Sequence, residues 1–237
     1  MYSNRPVPEA ISHRGLRTSA PENSIPAFLA ALAAGADAIE LDVHASLDSV
    51  VYVHHDFDFV EASGVTRPLA ASDSKEVDKA RLDGDIVIPR LDAVLEAIGR
   101  KARVYIEIKP AGIENDVTRC LRRHFVGYDN YAVHSFDHRI IKRMLELIPS
   151  VQTGILQVGY PIDSCEAMRR AGASDLWQHA DFVDERLVAD VKSCGGRLIV
   201  WTANNDAQWK RLAAIGVDGI CTDRVDAYVE WRNAPVA

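Results

Sequence analysis

In Ala38-Ile39-Glu40-Leu41-Asp42-Val43 two carboxylates are separated by one leucine. Side chains alternate along a strand, so Glu40 and Asp42 share one face while Ile39, Leu41 and Val43 share the other. Adjacent acids repel each other, and burying them costs desolvation, so they call for a cation or positive partners. Carboxylates with spare oxygens suit a hard ion such as Mg2+ or Ca2+, with Mn2+ also admissible. Acids solvated along an exposed edge strand are the alternative for this one segment. The pattern recurs in Val104-Tyr105-Ile106-Glu107-Ile108-Lys109, where Glu107 and Lys109 lie opposite Ile106 and Ile108. Glu107 offers a third carboxylate, and Lys109 can hold a phosphate oxygen as a point charge. His13 ends an apolar run and precedes Arg14 and Gly15. His54, His55 and Asp56 follow a second such run. Histidines that titrate near neutrality suit general acid and base work. His44, His124, His134, His138 and His179 have no second supporting feature and read as structural.

These residues need a scaffold that brings distant strand ends together. Short apolar runs at 10–13, 38–43, 103–108, 131–134, 152–156, 176–178, 197–201 and 219–221 read as strands. Helical patterns at 24–34, 91–99, 115–124, 137–147, 162–171, 184–193, 206–215 and 225–232 alternate with them. Capping residues such as Asp184 and Asn205 open helices, and Gly35, Gly99, Gly172, Gly195 and Gly216 close them. Eight such units in 237 residues predict an α/β fold, a (β/α)8 TIM barrel. A doubly wound sheet is disfavoured because the first strand runs into His-Arg-Gly, not a glycine-rich phosphate loop. Residues 46–89 are too long for a βα connection and read as a small insertion after the second strand, over the C-terminal mouth. Residues 1–237 are expected to form one domain.

Ordered through the chain, the segments resemble those of the glycerophosphodiester phosphodiesterase family. They are His13-Arg14-Gly15, Pro21-Glu22-Asn23-Ser24, Glu40-Leu41-Asp42-Val43, His55-Asp56 and Glu107-Ile108-Lys109. Val200-Trp201-Thr202-Ala203-Asn204 and Gly216-Val217-Asp218-Gly219-Ile220-Cys221-Thr222-Asp223-Arg224 complete the set. The resemblance implies metal ligation by Glu40, Asp42 and Glu107 and an acid/base pair in His13 and His55. It implies phosphate contacts from Arg14 and Lys109, a supporting place for Glu22 and a pocket wall in Trp201. The reaction implied is metal-dependent hydrolysis of glycerophosphodiesters to glycerol 3-phosphate and an alcohol. Related readings are turnover of lysophospholipids or sugar phosphodiesters, or a barrel that binds phosphoesters without turnover. The segment after His55-Asp56 departs from the family pattern, with Phe57 and Phe59 where the alcohol would be selected. The family's proline after Thr-Asp is also absent.

The bulk numbers agree with such an enzyme. Hydrophobic residues make up 48% of the chain, ample for a core. The formal net charge of -7, with no basic run, argues against a nucleic-acid partner. No stretch approaches the ~18 apolar residues of a membrane span. MYSNRPVPEA lacks the apolar core of a signal peptide. Cys120, Cys165, Cys194 and Cys221 form no C-x-x-C pair, so four reduced thiols in a cytoplasmic protein are expected. Oligomeric state is not legible.

Overall fold

A computed structural model describes residues 7–61, 63–124 and 130–234; the outermost ends of the expected 1–237 domain lie outside them. Eight parallel strands close on themselves in the order β1 (Glu9–His13), β2 (Ala38–Ala45), β8 (Arg103–Ile108), β9 (Tyr131–Ser135), β10 (Gln152–Gln157), β11 (Asp175–His179), β12 (Arg197–Trp201) and β13 (Gly219–Thr222). Closure is made by β13 and β2 both pairing with β1. Seven helices fill the crossovers, α1 (Ile25–Ala33), α3 (Leu91–Ile98), α4 (Glu114–Arg123), α5 (His138–Leu147), α6 (Ser164–Ala171), α7 (Glu185–Ser193) and α8 (Asp206–Ile215), and an eighth, α9 (Val225–Asn233), follows the last strand. This is the expected (β/α)8 barrel. The boundary differences come from capping. Ser24, Asp163 and Asp184 lie just outside their helices, each side chain accepting a backbone N–H from the first turn.

Strand alternation sorts the barrel's side chains into two compartments. Ile39, Leu41, Val43, Val104, Ile106 and Ile108 pack outward under the helices. Ile11, Ala38, Tyr105, Trp177, Ile199 and Cys221 fill the interior. At the N-terminal end the interior closes with a polar plug. Arg197 bonds Glu9 at 2.7 Å and reaches Asp175 at 3.4 Å, while Gln152 donates to both Asp175 oxygens. Tyr105 donates to Glu9 at 2.9 Å. The charges at this end therefore partner one another.

Residues 46–89 stand at the other end, as expected. β3 (Val51–Val53) pairs antiparallel with the last residues of β2, from Val43 to Ala45. The segment also carries two short hairpins, β4–β5 (Asp58–Val60, Thr66–Pro68) and β6–β7 (Arg81–Asp83, Ile86–Val87), and the single-turn helix α2 (Ser74–Val77). Tyr52, Phe59, Leu69, Val77, Ala80 and Ile88 form a small core of its own. Phe59 is 1% exposed within that core, so it is unavailable to a substrate, contrary to the sequence expectation. Its neighbour two residues back, Phe57, is 65% exposed. Phe57 lies in the bend before β4, outside the strand whose inward position buries Phe59, a distinction composition alone does not make.

The expectation of four reduced cysteines also fails. Cys165 and Cys194 form a disulfide joining α6 to the end of α7, with Cα atoms 5.9 Å apart. Consecutive helices in a barrel lie side by side, so residues 29 apart in sequence can meet; no C-x-x-C spacing announces it. Cys120 and Cys221 are free and buried. No helix among the described residues is long and apolar enough to cross a membrane.

Gly154 on β10 admits Trp177 into the interior. A Cβ built at Gly154 would lie 2.8 Å from the indole Cδ1 and 2.9 Å from Nε1. Gly154→Ala is therefore expected to lower stability by about 1–3 kcal/mol through overpacking. Urea denaturation, with near-ultraviolet circular dichroism following the indole, measures this. A variant with wild-type stability and an unchanged indole signal would contradict it.

Candidate active site

Strand register gathers the site. His13 sits beside Glu40 across β1–β2, Asp42 beside Glu107 across β2–β8, and Glu107 beside His134 across β8–β9. His13, Arg14, Glu40, His55, Glu107 and Lys109 line one cavity of about 220 Å3 at the C-terminal mouth. Its remaining wall is apolar, made by Phe136, Leu156, Trp177, Trp201 and Cys221 beside His134. One half is thus charged and the other aromatic, a division suited to an anionic centre with an organic substituent.

The turn after β1 is shaped to aim Arg14. Arg14 and Asn23 both adopt positive φ, at 60° and 55°. The Asn23 N–H donates to the Arg14 carbonyl at 2.9 Å, and the Arg14 N–H donates to the Glu40 carbonyl at 3.0 Å. Gly15, at φ 87°, runs so close to α1 that a Cβ would lie 2.7 Å from that of Ala27. The His-Arg-Gly segment is therefore a backbone requirement as well as a chemical one. Arg14 Nε lies 2.9 Å from Asp42 Oδ2, and its Nη1 donates to Glu22 at 3.1 Å. Glu22 also pairs with Arg17 at 3.1 Å, so the acid supports two arginines at the mouth.

The carboxylates are only partly neutralised. Asp42 Oδ2 accepts from Asn23 Nδ2 at 2.9 Å. Its other oxygen has no hydrogen-bond donor among the described residues and faces Lys109 Nζ at 3.5 Å. Lys109 bonds Glu107 at 3.0 Å. Glu40 Oε2, 4.0 Å from His13 Nε2, likewise accepts no hydrogen bond. Burial and the nearby Asp42 charge raise the Glu107 pKa. Burial alone would raise Asp42, but Arg14 and Lys109 outweigh it and hold that carboxyl below its ordinary value. Burial would likewise lower Lys109, and Glu107 and Asp42 instead raise it.

The structure adds His134, which the sequence reading left as structural. Its ring stacks on Trp177 with centroids 4.3 Å apart, and Nε2 lies 3.6 Å from Glu40 Oε1. Ligand atoms of Glu40, Glu107 and His134 all lie within 4.8 Å of one another. The donor set, together with the unsatisfied oxygens of Glu40 and Asp42, fits a divalent cation.

The two histidines differ in their support. His13 Nδ1 is 2.6 Å from Asp223 Oδ1, which leaves Nε2 turned toward the Glu40 side of the site. Asp223 is itself held by Asn204 Nδ2 at 2.8 Å and Arg17 Nη1 at 3.0 Å. Burial would lower the His13 pKa, but the Asp223 bond and the Glu40 charge more than reverse this. His55 Nδ1 pairs with Asp56 at 2.7 Å, and Asp56 is largely exposed. His54 turns away, bonding the Asp58 carbonyl at 3.0 Å. Asn23, Asn204 and Asp223 each lay in a segment singled out by sequence, yet only the folded geometry gives them partners. Arg17 carried no sequence signal.

Residues 13–227 match the profile of the Glycerophosphoryl diester phosphodiesterase family. The chain belongs to that family. The Bacillus subtilis (strain 168) protein YhdW is 32% identical over 93% of this chain and 96% of its own. The glycerophosphodiester phosphodiesterase of Caldanaerobacter subterraneus subsp. tengcongensis is 30% identical, over 90% and 93%. Among solved structures, the glycerophosphodiester phosphodiesterase of Agrobacterium tumefaciens superposes with a TM-score of 0.80 at 27% identity, covering 94% of this chain and 99% of that one. An Oleispira antarctica phosphodiesterase, solved in complex with the product sn-glycerol-3-phosphate, shares the fold with a TM-score of 0.88 at 22% identity, over 96% and 98%. The protein is an enzyme of this phosphodiesterase class.

Replacing Asp223 with Asn should remove the anion that orients and charges His13. Acid–base catalysis is typically worth about 10²–10⁴-fold, and loss of the orienting carboxylate should lower kcat by on the order of 10²-fold with little change in KM. Because Asp223 raises the His13 pKa, any limb of the kcat/KM profile set by His13 should move to lower pH. An unshifted profile with unchanged kcat would show that the contact is only structural.

Proposed function

We propose that the enzyme hydrolyses glycerophosphodiesters to glycerol 3-phosphate and the free alcohol, using His13 and His55 as an acid/base pair at a divalent-cation site. The observation that carries this reading is the shared cavity. Both histidines line it together with Arg14, Lys109, Glu40 and Glu107. The family membership and the relatives' names support the same substrate class.

The phosphoryl group sits against Arg14 and Lys109, whose positive charges oppose the negative charge that builds on its oxygens during cleavage. His13, oriented by Asp223, and His55, beside Asp56, divide the two proton movements. One removes a proton from the nucleophile, either water or the substrate's neighbouring hydroxyl by way of a cyclic phosphate that water then opens; the other delivers a proton to the departing alcohol oxygen. Trp201 forms a wall for the organic part, and Glu22 holds Arg14 in place. The insertion, contributing His55 and Phe57 at the mouth, selects the alcohol.

Glu40, Asp42 and Glu107 would hold the cation, Mg2+ or Ca2+, with Mn2+ also admissible. Bound there, it supplies Lewis-acid polarisation of the phosphoryl oxygens. Support comes from the unsatisfied oxygens on Glu40 and Asp42. A second ligand set, with His134 in place of Asp42, is favoured by the tight grouping of Glu40, Glu107 and His134. The two differ chemically, since an all-oxygen set suits hard ions and an imidazole suits softer ones.

Chelator-treated enzyme should lose turnover of glycerophosphocholine, and Mg2+, Ca2+ or Mn2+ should restore it; full activity after chelation would sink the cation site. Calorimetric titration of Mg2+ into Asp42→Asn and His134→Gln decides between the ligand sets, the true ligand being the one whose loss abolishes binding.

Changes of His13 or His55 to Ala should each cost about 10²–10⁴-fold on glycerophosphodiesters. On a p-nitrophenyl diester the leaving group needs no acid, so one variant should recover much of its rate and the other should not. Equal, small losses on both substrates would mean that neither histidine handles protons.

A further inference from the structure

The two histidines of the acid/base pair are held in different ways. The His13 ring is fixed through its own Nδ1 by Asp223, which Asn204 and Arg17 hold in turn. The His55 ring leans on Asp56, the next residue, whose side chain is 74% exposed. A contact between neighbours on one exposed turn fixes neither of them relative to the barrel. Residues 54–57 join β3 to β4 outside any strand or helix, so the place of His55 depends on what grips their backbone.

At its start the His54 N–H donates to the Asp42 carbonyl at 3.0 Å, and at its end the Leu69 N–H donates to the Phe57 carbonyl at 2.9 Å. Between them His44 Nε2 donates to the His55 carbonyl at 3.1 Å, the only hydrogen bond to the His55 backbone among the described residues. A carbonyl only accepts, so this ring nitrogen carries the proton. His44 stands on β2, on the face that also carries Glu40 and Asp42, and is 3% exposed. Its ring meets that of Phe57 edge on, with centroids 5.0 Å apart. Phe57 stays 65% exposed, so this contact buries little apolar surface and serves chiefly to fix direction. One buried side chain rooted in the barrel thus spans the turn from His55 to Phe57. His55 lines the cavity and His44 does not, so His44 acts on a substrate only through what it holds.

We propose that His44 is a positioning residue for His55. By holding the His55 carbonyl and bracing Phe57, it ties the turn to the strand that carries Glu40 and Asp42, so the His55 imidazole keeps one spacing from the phosphoryl site. The inference rests on the acid/base reading above and adds the group that aims one of its two members. Proton transfer requires hydrogen-bond reach to the reacting oxygen, and a displacement of about 1 Å can cost on the order of 10²-fold in rate.

The test compares His44→Gln with His44→Asn in full-length enzyme supplied with Mg2+, acting on glycerophosphocholine. Gln carries its amide N–H far enough to replace Nε2 at the His55 carbonyl; Asn is too short, and both keep a polar side chain in place. His44→Gln should stay within about fivefold of wild-type kcat, and His44→Asn should lose on the order of 10²-fold in kcat with KM within about twofold. Added to His55→Ala, His44→Asn should cause no further loss beyond about twofold, because residues that act as a unit are not additive. A general loss of folding would lower kcat alike in both backgrounds, so the double variant separates it from positioning. On a p-nitrophenyl diester His44→Asn should follow His55→Ala, recovering only if that variant recovers. Calorimetric Mg2+ binding should be unchanged, which shows that the effect does not pass through Asp42. Equal kcat for the Gln and Asn variants overturns the inference alone. So does a loss that persists in full beside His55→Ala, or weakened Mg2+ binding. A His55→Ala variant with wild-type rates overturns the underlying acid/base reading as well.

Discussion

The structure is organised around the crowding of three carboxylates at one end of the barrel. Asp42 and Glu107 are direct neighbours across β2 and β8, and Glu40 lies one turn of the pleat below Asp42 on the same strand. Like charges ~4 Å apart repel by about 4 kcal/mol at an effective dielectric of 20, and burial adds to that. Such a cluster persists only if the surrounding chain supplies positive charge. Lys109 does so from the end of β8, and Arg14 from the turn after β1. Burial by itself would favour the neutral form of Lys109, yet the acids keep it charged.

This requirement explains the backbone of the first βα turn. Arg14 reaches Asp42 from a left-handed conformation, and Asn23 bonds both the Arg14 carbonyl and the Asp42 side chain from another. Gly15 lets the turn pass against Ala27 of α1. Positive φ at non-glycine residues is uncommon. Of the three occurrences among the described residues, Arg14 and Asn23 flank the charge cluster and help to fix the direction of its guanidinium.

The two ends of the barrel contain similar residue types and behave differently. At the N-terminal end, Glu9, Asp175, Arg197, Gln152 and Tyr105 partner one another across the interior. At the C-terminal end, one carboxylate oxygen each of Glu40 and Asp42 lacks a hydrogen-bond donor among the described residues, and His13 and His55 meet a cavity. A satisfied network rigidifies, whereas unspent electrostatic capacity is available to a ligand. The contrast within one molecule separates charge that is internally paired from charge left open toward a cavity.

Much of this was written in the sequence, because period-two alternation on parallel strands fixes which residues share a face. Ile39, Leu41 and Val43 had to oppose Glu40 and Asp42, and Ile106 and Ile108 had to oppose Glu107. Eight apolar strands alternating with capped helices determined the barrel, and the length of residues 46–89 marked the insertion. Tertiary structure alone decided what depends on distant segments meeting. Asp223 reaches His13 across 210 residues of sequence, and His134 reaches Glu40 from a strand that holds no other charged or titrating group near neutrality. The pairing of Cys165 with Cys194 depends on two helices packing side by side. The burial of Phe59 and exposure of Phe57 depend on a small core that exists only once the insertion has folded. Local pattern carries the direction of each side chain along its own strand; the partner it finds is set by barrel closure and strand register, which no local pattern encodes.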